Sequence, residues 1–81
     1  MSANVYFSVK VDRKRVSCAD PSDFKRAMGV VFGGEGPWQL GMVQAGRLNA
    51  MSAALPDGRN PYRELADAIN KYGEIEVSME Y

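Results

Sequence analysis

Three short runs in this 81-residue chain carry residue types that do chemistry at a surface. Arg13-Lys14-Arg15, with Lys25 and Arg26 close behind, can meet several phosphates or carboxylates. Glu74, Glu76 and Glu80 fall on alternate positions, so in a strand the first two carboxylates would stand roughly 6–7 Å apart on one face. Carboxylates at that spacing can flank a glycosidic bond or share a divalent cation, but nothing else in the chain supplies a pocket for them. They are read as a solvated strand face. The third run, Gly33-Gly34-Glu35-Gly36-Pro37, is the most loop-like stretch and leads directly into the single tryptophan, Trp38.

Catalytic readings fail on residue types. There is no histidine, which removes Ser–His and Cys–His nucleophile pairs, most zinc sites and the commonest general base at neutral pH. Cys18 has no second thiol, so zinc ribbons and Cys-x-x-Cys redox chemistry are excluded. It is read as a small buried hydrophobe. The glycine run lacks the Lys-Ser or Lys-Thr of a phosphate-binding loop, follows a helix rather than a strand, and holds Glu35, which repels phosphate. Asp57-Gly58-Arg59-Asn60 has the residue types of a calcium loop without its ligand spacing. No enzyme activity, cofactor or metal is therefore expected.

What is left is recognition. Trp38 beside a glycine-rich loop is either a partner-binding anchor or the largest core residue, and its residue type fits both. Under the first reading Trp38 and Glu35, the basic run Arg13, Lys14 and Arg15, Tyr6, and the acids Glu76 and Glu80 form the partner-binding set. Tyr6 on an open sheet face, together with the basic run, also permits weak nucleic-acid binding. Trp38 to Val43 does not match the third-strand motif of an RNA-recognition domain.

These residues need elements to hold them. Val5, Phe7, Val9 and Val11 alternate with Tyr6, Ser8 and Lys10, which predicts a strand. Asp12 to Arg15 reads as the charged tip of a hairpin, with Val16-Ser17-Cys18 as the returning strand. Asp20-Pro21-Ser22-Asp23 opens a helix carrying Phe24, Ala27, Met28 and Val31 on one side. It is expected to run to Phe32 and stop at Gly33. Gly29 is its weak point, and the alternative is a stop at Gly29 followed by a short strand over 30–32. Trp38 to Met42 reads as a third strand, and Arg47 to Leu55 as a second helix. Pro56-Asp57-Gly58 marks a turn, Asn60-Pro61 starts a third helix, and Gly73 closes it. Tyr62, Leu65, Ile69 and Tyr72 form the apolar stripe of that helix. Ile75, Val77, Met79 and Tyr81 then alternate with Glu74, Glu76, Ser78 and Glu80 in a last strand.

The expected fold is one small α+β domain over residues 1–81: a four-stranded, mainly antiparallel sheet with two or three helices on one face, in the order β-β-α-β-α-α-β. Placing the last strand beside the first brings Glu76 and Glu80 near Lys10 on the open face. Charge supports an internal match. Residues 1–31 hold Lys10, Arg13, Lys14, Arg15, Lys25 and Arg26 against three acids, whereas residues 60–81 hold Arg63 and Lys71 against five. Either neighbouring strands complement each other, or the dipole steers a partner.

Apolar content of 46%, charged content of 25% and a formal net charge of zero are ordinary for a globular domain. No apolar run is long enough to span a membrane, and the start does not read as a signal peptide. One cysteine and no disulfide suit a cytoplasmic protein. The functional expectation is a non-enzymatic protein-binding module, an inhibitor or adaptor acting by occlusion, with a nucleic-acid binder as the alternative. In kind the chain is similar to the stand-alone inhibitors, anti-CRISPR proteins among them, that phages and mobile elements encode against host machinery. No motif carries that likeness. A homodimer through the open sheet face or a free edge strand is compatible with either function.

Overall fold

Two alternating stretches pair at the centre of a sheet, and everything else is arranged around them. The computed structural model describes residues 4–9, 12–55 and 60–80. Strands β1 (Asn4–Val9), β2 (Asp12–Val16), β3 (Trp38–Gly41) and β4 (Glu74–Glu80) form one antiparallel sheet in the order β2-β1-β4-β3. Helices α1 (Pro21–Phe32), α2 (Met42–Ala53) and α3 (Pro61–Tyr72) complete the predicted order and the α+β class. The predicted neighbours are neighbours: β1 pairs with β4, with Phe7 opposite Val77 and Ser8 opposite Glu76.

The period-two pattern divides the sheet into two faces. Val5, Val16, Trp38, Leu40, Ile75 and Val77 turn inward and are buried with Phe24 and Met28 of α1, Leu48 of α2, and Leu65 and Ile69 of α3. Tyr6, Ser8, Gln39, Glu76 and Ser78 share the other face, as their register requires.

Helix ends follow local chemistry. Asp20 accepts a hydrogen bond from the Asp23 N–H at 3.1 Å, Pro21 occupies the first turn, and α1 runs through Gly29 to Phe32. The short-strand alternative for 30–32 is therefore not adopted. Gly29 has a tertiary reason: a Cβ there would lie 2.9 Å from the Gly34 carbonyl oxygen, so the loop folds back onto a helix surface that has no side chain. Asn60 caps α3 through bonds from the Tyr62 and Arg63 N–H groups, and its own amide donates to the Ser52 carbonyl oxygen at 2.9 Å. One buried side chain thus starts α3 and fastens it to the end of α2.

Two expectations are corrected. Asp12 to Arg15 is not a hairpin tip but most of β2, and the strand ends at Val16 rather than Cys18. An edge strand gets its backbone bonds from one neighbour and needs little apolar alternation, so its charges misled the reading. Helix α2 begins at Met42, not Arg47, because Gln44 reaches back to the Gly41 N–H at 2.8 Å and caps the start. The expected turn at Pro56-Asp57-Gly58, and the placements of Lys10, Val11 and Tyr81, lie outside the described residues. No helix among those described is long and apolar enough to cross a membrane.

Candidate functional site

Alternation along β2 splits the basic run. Arg13 lies across the open face, its guanidinium 3.9 Å from the centroid of the Tyr6 ring, and pairs with Glu80. The three residues come from β2, β1 and β4, so the charge match reaches across an intervening strand with Tyr6 as its platform. Arg15, opposite Tyr6 in register, shares that face. Lys14 is opposite Phe7 on the helix side, and its ammonium donates to the Tyr72 hydroxyl at 3.4 Å. Lys71 stands 5.2 Å from the same ring. The bond from Lys14, then Lys71, holds the Tyr72 phenol below its usual pKa. Arg13, Lys14 and Arg15 are therefore not one phosphate-binding patch: two share a face with the acids, and the third is turned to the other side.

Trp38 is core. It is 4% exposed, lies edge-on to Phe24 at 6.3 Å between ring centres, and donates its indole N–H to the Gly33 carbonyl oxygen at 2.8 Å. Gly36 passes so close that a Cβ there would stand 3.0 Å from the indole. The glycine loop wraps Trp38 rather than presenting it, so of its two readings the core one holds. The hydrogen bond satisfies the one polar atom a buried tryptophan brings. Glu35 stays exposed, beside a shallow concavity of about 320 Å³ that also involves Lys25, Arg26 and Val30.

Glu76 is half-buried, and with Glu74, Ser8 and Gln39 it lines a dent of about 220 Å³ on the open face. Among the described residues no three His, Cys, Asp or Glu side chains are grouped to hold a metal. Cys18 packs partly against the core.

The sequence reading missed one surface. Between α1 and the C-terminal end of α2 runs an apolar groove of about 380 Å³, formed by Ala27, Val30, Val31, Met51, Ala54 and Leu55. Asp23 and Arg26, paired with each other, stand at it, as does Tyr62. Val30 is 81% exposed and Leu55 42%. Desolvation raises the Tyr62 phenol to about 12, with the Asp23 carboxylate adding to it and Cys18 after that. A signal for this groove exists in the sequence. Val30 lies two residues beyond the core residue Met28, about 200° around the helix, so a valine there cannot serve the same core.

No family model, curated protein or solved structure matches the chain.

Proposed function

We propose that this protein is a non-enzymatic protein-binding module, an inhibitor or adaptor that works by covering a partner's surface, and that the α1–α2 groove is its contact. The observation that carries this reading is Val30. A β-branched aliphatic side chain that is 81% exposed, at the mouth of an apolar groove, gains free energy when another protein covers it. The groove is walled by two helices, and its apolar lining fits a short run of aliphatic or aromatic side chains from a partner. The adjacent Asp23–Arg26 pair supplies a polar rim that orients the contact without strengthening it much. The kind of inhibitor that mobile elements encode belongs to the same proposal, as does action in the cytoplasm.

The test is affinity capture from source-cell lysate with the wild-type chain and Val30→Glu in parallel, both nuclease-treated. A partner held by wild type and lost with Val30→Glu, while circular dichroism and Tm stay unchanged, supports the groove. A set of partners that disappears with nuclease in both samples replaces the reading with nucleic-acid binding. Equal retention by both proteins moves the contact to another surface.

A further inference from the structure

The edge strand β2 carries a second inference, at a surface distinct from the groove. Strand order places β2 at one end of the sheet, where among the described residues it pairs with β1 alone. No backbone bond from residues 12–16 to anything beyond β1 occurs among the described residues. Four of its five residues are exposed, and three in succession are Arg13, Lys14 and Arg15. Alternate backbone N–H and C=O groups of such an edge point away from the sheet and can accept another strand.

Charge on an edge blocks unwanted pairing, but it does so by sign. Two β2 edges brought together would oppose cation to cation, which disfavours a dimer of this chain through them. The acidic β4 of a second copy is not available either, because β1 and β3 occupy both its sides. A strand from elsewhere that carries carboxylates meets no such obstacle. The molecule already shows the chemistry in miniature: Arg13 reaches over Tyr6 to Glu80 on the same sheet. Arg15, exposed on that face, has no hydrogen-bond or ion-pair partner among the described residues.

We infer that the outer edge of β2 docks an extended acidic segment of a partner protein by strand addition. The segment's backbone extends the sheet beyond β2. Its carboxylates, at alternate positions on the open face, meet Arg15 and Arg13. A strand of five residues spans about 17 Å, enough for a recognition sequence of similar length.

Three labelled peptides decide it: one alternating Glu and Val, one alternating Lys and Val, one alternating Glu and Pro. Each is titrated into the full chain by fluorescence anisotropy, and backbone amide exchange is followed by NMR. The Glu–Val peptide should bind and slow exchange at residues 12–16, with affinity falling as salt rises. Arg15→Glu should weaken it about five- to tenfold, and the Lys–Val peptide should not bind. The Glu–Pro peptide has the same charge, but its prolines hold φ at about −65° and favour a polyproline conformation over a strand, and it should bind at least about tenfold more weakly. Equal binding of the Glu–Pro peptide, or amide protection at β3 instead of β2, would overturn the inference. Val30→Glu should leave peptide binding unchanged, so the groove and the edge stand or fall separately.

Discussion

Helices α1 and α3 are each 12 residues long, start on an Asx cap followed by proline, and stop at a glycine. Yet α3 buries Pro61, Tyr62, Leu65, Ala66, Ala68 and Ile69, whereas α1 buries only Phe24 and Met28. The difference is one of position. Helix α3 packs against α2, β4 and β2, so a broad face holding half of its residues is buried. Helix α1 rests on the core by a narrow stripe and leaves Val30 outward. Capping chemistry makes a helix; neighbours decide how much of it is buried. The outward side of α1 also leaves apolar surface uncovered.

The comparison can be broken first at the stripe itself. Phe24 stacks on Tyr62 at 5.5 Å and meets Trp38 edge-on, so Phe24→Ala should cost about 3–5 kcal/mol in urea unfolding. A loss below about 1 kcal/mol would mean that α1 is not anchored through this residue. Gly29→Ala comes next. Alanine in an ordinary helix interior stabilises, but here its Cβ meets the Gly34 carbonyl, and a loss of about 1–3 kcal/mol is expected. A gain in Tm would show that the loop does not hold its close approach.

The caps sharpen the contrast. Asn60→Ala removes the cap of α3 and its bonds to Ser52, and should cost about 1–2 kcal/mol. Asp20→Ala removes one exposed bond from α1 and should cost about 0.5–1 kcal/mol. An equal loss at both sites would remove the distinction between a buried and a surface cap. A further effect appears only in alkali. The Tyr62 phenol is raised from 10 to about 12, so the unfolded chain loses this proton first. Its contribution is full below pH 10 and is lost as pH rises towards 12, a slope that Tyr62→Phe should remove. Smallest of all, Val30→Glu should change stability by less than about 0.5 kcal/mol. A larger loss would make Val30 a structural residue and weaken the groove as a binding surface.

Much of the scaffold was legible because its signals are local. Asp20-Pro21, Asn60-Pro61, Gly33 and Gly73 delimit α1 and α3 as predicted, since caps act within one turn. Alternation gave β1, β4 and their pairing. Charge hid β2, because an edge strand can be made almost entirely of exposed residues. The start of α2 was missed because its cap comes from Gln44 reaching backwards rather than from a side chain at the cap position. The site was less legible than the scaffold. Arg13, Glu80 and Tyr6 were singled out separately, and only the strand order stacks them together. Trp38 was open between two fates that its residue type fits equally.

The amino-acid sequence alone determined where α1 and α3 begin and end, which faces of β1 and β4 are apolar, and that the chain holds no histidine and no second cysteine. Periodicity, caps and residue types act over a few positions and need no partner. The tertiary structure decided that Trp38 is wrapped by its own loop, that Gly29 must be bare, that Lys14 parts from Arg13 and Arg15, and that Val30 is left uncovered. Each of these depends on which distant segment arrives at a given surface, and contacts between segments far apart in the chain are set by the packing of the whole domain.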